Sequence, residues 1–290
     1  MSIKPSKGYR VFQVVNTIIM IAIIFITLYP FIYLIAQSFS SDAAVSAGKV
    51  TFLPVDFTLA TYKYLLKDNS FFMFYGNTIL YSVVGTIISV AGTAILAYPL
   101  SKPQLRLNKF FTPFVVFTMY FTGGMIPNYI LVTQWLGLQD SMFAVILPGA
   151  ISTFNLLVMK SFFAGLPEEL EEAASIDGMG VYGIFVKIIL PLSKPIIATM
   201  ALFYLVGMWN EWFGPFLYLD TREKWPIALW VRQLVEGANN TEIGTSAEAS
   251  SVQATLKSAT MVLTSAPIIC VYPFVQRYFV QGMTIGAVKG

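Results

Sequence analysis

The chain has 290 residues, 56% of them hydrophobic and 11% charged, with a mean hydropathy of +0.69. Soluble domains carry about 25% charged residues, so this shortfall, with several apolar runs of about 20 residues, points to a bilayer protein. A net charge of +3 is too small to suggest nucleic acid, and the lack of His beside a single Cys, Cys270, excludes an intrachain disulfide and a His/Cys metal site.

The first apolar stretch runs from Val11 to Ala36, behind Lys4, Lys7 and Arg10. It outlasts the apolar core of a signal peptide, about 7–15 residues, and no small-x-small pattern closes it, so a retained membrane anchor is expected. Five further spans are expected at 72–99, 110–133, 142–163, 196–219 and 256–276. Each exceeds the roughly 17 residues that cross about 30 Å of hydrocarbon as a helix. The expected fold class is all-α: a polytopic membrane protein with six transmembrane helices, forming one transmembrane domain over 1–290. Pro30, Pro113, Pro127, Pro148, Pro215, Pro267 and Pro273 lie in or near these spans and are tolerated there as kinks.

Within the spans, Gly85, Ser89 and Thr93 recur at every fourth residue, a spacing that lets helices approach closely. Gly123-Gly124 ahead of Pro127 either kinks the third span or breaks it, as in the discontinuous helices of transport sites. Glu211 is the one carboxylate inside an expected span, about 22 Å from its Ile196 end at about 1.5 Å per residue. An acid at that depth requires a polar cavity or a partner. Tyr204, Trp209 and Asn210 near it suit sugar hydroxyls and apolar ring faces, so these four residues are candidates for a translocation pathway. An interhelical hydrogen bond with an interfacial tryptophan belt is the plainer alternative.

The segments at 37–71 and 220–255 read as ordered caps or flexible loops outside the spans, the second rich in turn residues. Of the 18 Lys and Arg residues, eleven fall on the side of the N-terminus and seven on the other. Three precede the first span, and Lys102, Arg106 and Lys109 lie between the second and third. The positive-inside rule then puts both termini in the cytoplasm.

The same rule makes the loop at 165–195 cytoplasmic. Five of the fifteen carboxylates gather there: Glu168, Glu169, Glu171, Glu172 and Asp177. Pro167 suits the first position of a helix, with Glu168 and Glu169 complementing the positive end of its dipole. Leu170, Ala173, Ala174 and Asp177 make one small, largely apolar face. Gly178 can end the helix in a left-handed conformation, and a second helix is expected from Val181 to Ile189, stopped by Leu190-Pro191. A solvated amphipathic helix and a docking element are both compatible with this pattern.

Glu172-Ala173-Ala174, then Gly178, then Ile188 and Leu190-Pro191 resembles the EAA signature of ABC-importer permeases. The stretch Tyr120 to Pro127, the segment Trp209-Asn210-Glu211 and the ending Gly286 to Gly290 are similar to carbohydrate-importer permeases of the maltose type, in particular the subgroup for complex oligosaccharides or polysaccharide fragments. The resemblance implies that 165–195 is the coupling loop, with Glu172, Ala173, Ala174, Asp177, Gly178 and Met179 forming the ATPase contact and the bend. Lys289 and its neighbours are weaker candidates for the same contact. It also implies a homologous second permease subunit, two cytoplasmic ATPase subunits, an extracytoplasmic solute-binding protein, an oligosaccharide substrate and a cell-membrane location.

No Gly-x-x-x-x-Gly-Lys-Ser/Thr pattern is present, so no P-loop is expected in this chain, nor any other cofactor site. Without His or a nucleophile-elbow pattern, enzyme activity is not expected. An ion-gradient-driven secondary transporter is the alternative, but it calls for intramembrane acid–base pairs and paired repeats, where the chain offers Glu211 alone.

Overall fold

The computed structural model describes residues 7–237 and 254–270, and every regular element among them is helical. They fall into two compact units, one from 7–69 with 233–237 and 254–266, the other from 70–232 with 267–270.

In the first unit, α1 (Lys7–Ser38) passes through Pro30 unbroken, and residues 8–32 are exposed without exception. Its surface is Val, Ile and Phe, an inverted pattern that only lipid or a protein partner satisfies. The segment that follows is an ordered cap. Ser41 accepts the Ala44 N–H to start α2 (Asp42–Ser46), and Val50 and Ala44 pack on Ala36. Asp42 accepts the N–H groups of Ala254 at 2.6 Å and Thr255 at 3.3 Å, satisfying donors at the start of helix Ala254–Cys270. α3 (Ala60–Lys67) joins the same helix through Thr61 and Thr255, 2.6 Å apart.

In the second unit, α4 (Asn69–Ser101) is about 50 Å long. Then come α5 (Asn108–Tyr120), α6 (Met125–Trp135), α7 (Met142–Ile146), α8 (Thr153–Ala164), α9 (Glu169–Ile176), α10 (Val181–Leu192), α11 (Lys194–Trp209), α12 (Phe213–Tyr218) and α13 (Ile227–Gly237), of which residues from 233 on belong to the first unit. Both α6 and α10 contain a π turn, Leu131–Trp135 and Phe185–Ile189. A core of Ala97, Met159, Phe163, Ile189 and Met200, each at most 1% exposed, ties α4, α8, α10 and α11 together. The small-residue spacing in α4 is a packing device: a Cβ on Gly85 would lie 3.1–3.2 Å from the Met208 side chain.

Six unbroken spans do not appear among the described residues. Gly8–Ser38 and Asn69–Ser101 are long and apolar enough to cross a membrane; two bent pairs bring the number to four if each is one crossing. Asn108–Tyr120 turns 110° into Met125–Trp135, and Val181–Leu192 turns 81° into Lys194–Trp209. The first turn is a break rather than a kink, because Phe121 becomes extended and Gly124 takes φ +87°. The span expected at 142–163 stops at Ile146 before Pro148 and restarts where the Ser152 hydroxyl accepts the Asn155 N–H. That at 196–219 parts at Asn210, and the Glu211 carboxylate accepts the Gly214 N–H at 2.8 Å to begin α12. Of the span at 256–276, residues beyond Cys270 lie outside the described residues.

Candidate functional site

The loop at 165–195 folds as two short helices around a glycine bend. α9 begins at Glu169 rather than at Pro167, and the Glu168 carbonyl accepts the N–H groups of Glu171 and Glu172. Gly178 takes φ +81°, its N–H bonds the Ser175 carbonyl, and the Met179 N–H bonds the Ala174 carbonyl at 2.9 Å. This pair of bonds is a Schellman motif, which satisfies carbonyls that a helix end leaves open. α10 passes the expected stop at Leu190-Pro191 and ends at Leu192, because a proline in the first turn of a new helical segment loses no hydrogen bond.

The expected apolar face of α9 divides in two. Ala174 is 6% exposed and packs in the core, joined there by half-buried Met179, which leans over Gly183. Glu172, Ala173, Asp177 and Gly178 remain exposed. Beside them stand Ile176 at 86%, Val181 at 67% and Tyr182 at 88% exposure, apolar groups with little cover from their own chain.

Glu171 holds the loop in place. It pairs with Lys102 at the end of α4 and accepts the Tyr98 hydroxyl at 3.0 Å. Tyr98 stacks on Phe185 at 5.0 Å between ring centres, and the Lys102 ammonium lies 5.2 Å from the tyrosine ring. Glu171 thus links α9 to α4 directly, and to α10 through the Tyr98–Phe185 stack.

A cavity of about 600 Å³ lies among α6, α7, α8, α11 and α12, lined by Asn128, Ser152, Asn155, Tyr204, Glu211 and aromatic and aliphatic groups. The Tyr204 hydroxyl accepts the Ser152 N–H at 3.0 Å and lies 2.7 Å from the Thr93 hydroxyl. Of the four pathway candidates, Tyr204 and Glu211 line this cavity. Trp209 instead packs edge-on against Tyr75 and is 8% exposed, while the Asn210 amide bonds the Val206 carbonyl. Asn128, Ser152 and Asn155 were not among the expected residues; they come from other helices, and no sequence spacing links them to Glu211.

Residues 94–285 match the family described as binding-protein-dependent transport system inner membrane component. The chain belongs to that family. Its relatives include Protein LplC of Bacillus subtilis (strain 168), 43% identical over 287 residues that make up 98% of this chain and 97% of that protein. The polygalacturonan/rhamnogalacturonan transport system permease protein YtcP of the same organism is 41% identical over 269 residues, 91% of this chain and 93% of that protein. A crystal structure of a bacterial ABC transporter involved in the import of the acidic polysaccharide alginate contains a chain with TM-score 0.87 and 34% identity, covering 96% of this chain and 100% of that one. The protein is a membrane-integral permease with the ABC-importer permease fold.

Away from both sites, the permease closes one end of the second unit with a clip. Asp140, at φ +56°, accepts the Lys224 ammonium and the Thr221 hydroxyl, each at 2.6 Å, and the N–H groups of Asp220 and Thr221. The Lys224 ammonium and the Thr221 bonds hold the Asp140 carboxyl well below the usual carboxylate range. The permease's terminal candidate Lys289 lies outside the described residues.

Proposed function

We propose that this permease is the translocation subunit of an ATP-driven importer for oligosaccharides or polysaccharide fragments. It pairs with a homologous second permease, receives substrate from an external solute-binding protein, and docks two cytoplasmic ATPase subunits. It has no ATPase activity of its own. Six crossings by bent or broken helices, with both termini in the cytoplasm, fit the spacing of the apolar segments and the Lys/Arg bias. Relatives named for polygalacturonan, rhamnogalacturonan and alginate support the substrate class.

The observation that carries this reading is the two-sided α9. Its inner side, Glu171 and Ala174, is fastened to its own unit, and its outer side presents Glu172, Ala173 and Asp177 beside uncovered Ile176 and Tyr182. A helix built this way passes force: an ATPase groove takes the outer side, Gly178 and Met179 fix the bend, and Glu171 delivers the displacement to α4. Closure of the ATPase pair then shifts the helices as packed bodies and alternates access to the cavity lined by Tyr204 and Glu211. Trp209, packed on Tyr75, and Asn210, bonded to the Val206 carbonyl, stand outside this lining.

The test is copurification from native membranes followed by saccharide-stimulated ATP hydrolysis. Glu172→Lys and Gly178→Leu are expected to abolish uptake and weaken ATPase recovery while membrane insertion persists. Undiminished ATPase recovery in both variants contradicts the assignment.

A further inference from the structure

The cavity's charge is one-sided. Among the residues that line it, Glu211 is the one charged group, and no Lys or Arg is present. Its carboxylate bonds the Gly214 N–H and forms no ion pair among the described residues. Asn155 is only 6% exposed, yet its side-chain amide has no hydrogen-bond partner among the described residues while lining this space. The amide therefore opens onto the cavity with its donors and acceptor available to a ligand or to water. Phe203, Tyr204 and Phe213 add ring faces, which suit the C–H faces of a sugar ring, and the volume lies within the range of about 300–1000 Å³ typical of small-molecule sites.

We infer that this cavity is a saccharide subsite that admits uncharged sugar units and disfavours carboxylate-bearing ones, with Glu211 setting the discrimination and Asn155 bonding a sugar hydroxyl. The inference rests on the cavity belonging to the translocation pathway. A uronate entering it brings a second carboxylate to one that has no ion-pair partner among the described residues, the nearby Arg232 guanidinium being stacked on Trp212 outside the lining. The surroundings are less polar than water, and like charges repel strongly there. Acidic polysaccharides named for two similar proteins would therefore need cations from another subunit to pass this wall.

The test uses the copurified importer with Cys270→Ser and Gly207→Cys. Position 207 lines the cavity, and a Cβ there meets no atom within 4 Å. Gly149→Cys, equally unobstructed, serves as the second position. Labelling is timed with methanethiosulfonates carrying an ammonium, a sulfonate or no charge. Relative to a free thiol in solution, the ammonium reagent is expected to be favoured over the sulfonate by about tenfold or more, and Glu211→Gln to remove that bias. Trigalacturonate methyl ester is expected to slow labelling by the neutral reagent at concentrations about tenfold below those needed of trigalacturonate, and the two to converge in Glu211→Gln. Asn155→Leu is expected to weaken protection by the ester without altering the charge bias.

Reagents that reach neither cysteine would overturn the pathway reading itself. Labelling with no charge bias, or with a bias that survives Glu211→Gln, overturns the role of Glu211 and leaves the pathway standing. Equal protection by acid and ester, or by neither, overturns the subsite.

Discussion

Replacing Glu171 with Ala removes, in one step, the ion pair to Lys102 and the acceptor for Tyr98. The side chains of Lys102 and Glu171 are 23% and 16% exposed, so the pair belongs neither with surface bridges nor with fully buried ones. Surface pairs couple by about 0.2–1 kcal/mol, and breaking a buried pair costs about 3–5 kcal/mol. An intermediate coupling of about 1 kcal/mol is reasonable here, and the bond from Tyr98 to a charged acceptor adds about 1.5 kcal/mol. Glu171→Ala is therefore expected to loosen α9 by about 2–3 kcal/mol. Because α9 is short and lies at one edge of the unit, it opens locally rather than with the whole molecule. Hydrogen exchange read by mass spectrometry over residues 172–176 is the assay, and about 2 kcal/mol corresponds to roughly thirtyfold faster exchange. Glu171→Gln keeps an acceptor for Tyr98 and is expected to lose only about the ion-pair share. Lys102→Met and Glu171→Gln together should cost less than the sum of their separate effects. A change below twofold in Glu171→Ala, or strict additivity of the two single variants, would refute the latch.

Three shorter expectations follow from other contacts. Gly85→Leu drives a side chain into Met208 and is expected to destabilise the second unit by about 1–3 kcal/mol, read as a lowered unfolding temperature of the purified complex; an unchanged temperature would mean that α4 and α11 are not in contact there. Asp140 has its carboxyl pKa depressed in the folded state, first by Lys224 and then by Thr221, so its contribution to stability is fully present above the unfolded value of about 3.9 and is lost as pH falls through the depressed value. Proteolysis between residues 136 and 141 is accordingly expected to accelerate below about pH 4 in the unaltered chain, and Asp140→Asn to show the fast rate at neutral pH; identical rates for the two chains at pH 7 would contradict the clip.

The glycine bend was readable because its cause is local. Gly178 follows a helical run at the one position where a left-handed residue closes a Schellman motif, and the structure gives it φ +81°. The apolar segments were readable too, since hydropathy reports what lipid tolerates. Their interruptions were not, because a window average runs across Phe121–Gly124 or Asn210–Trp212 without registering that the backbone has left the helix. Proline gave no guidance: α1 continues through Pro30 and α4 through Pro99, whereas the chain breaks near Pro148. Glu171 escaped notice since its partners are 69 and 73 residues away, although it shares a helical face with Ala174 one turn on. Asp140 and Lys224 are 84 residues apart and equally silent in sequence. The cavity was half legible. Glu211 stood out by the cost of an acid in a span, but its neighbours in the chain, Trp209 and Asn210, proved to face elsewhere, and residues from α6 and α8 took their place.

Coupling to an ATPase requires α9 to stand in the cytoplasm with its outer side free to receive it. Topology labelling of a Glu172→Cys, Cys270→Ser chain in intact cells addresses this directly, with one maleimide that crosses the membrane and one that does not. The permeant reagent alone is expected to modify residue 172, and expression of the ATPase subunits to slow that reaction. Modification by the impermeant reagent in sealed cells would place the helix on the wrong side of the bilayer and contradict the account.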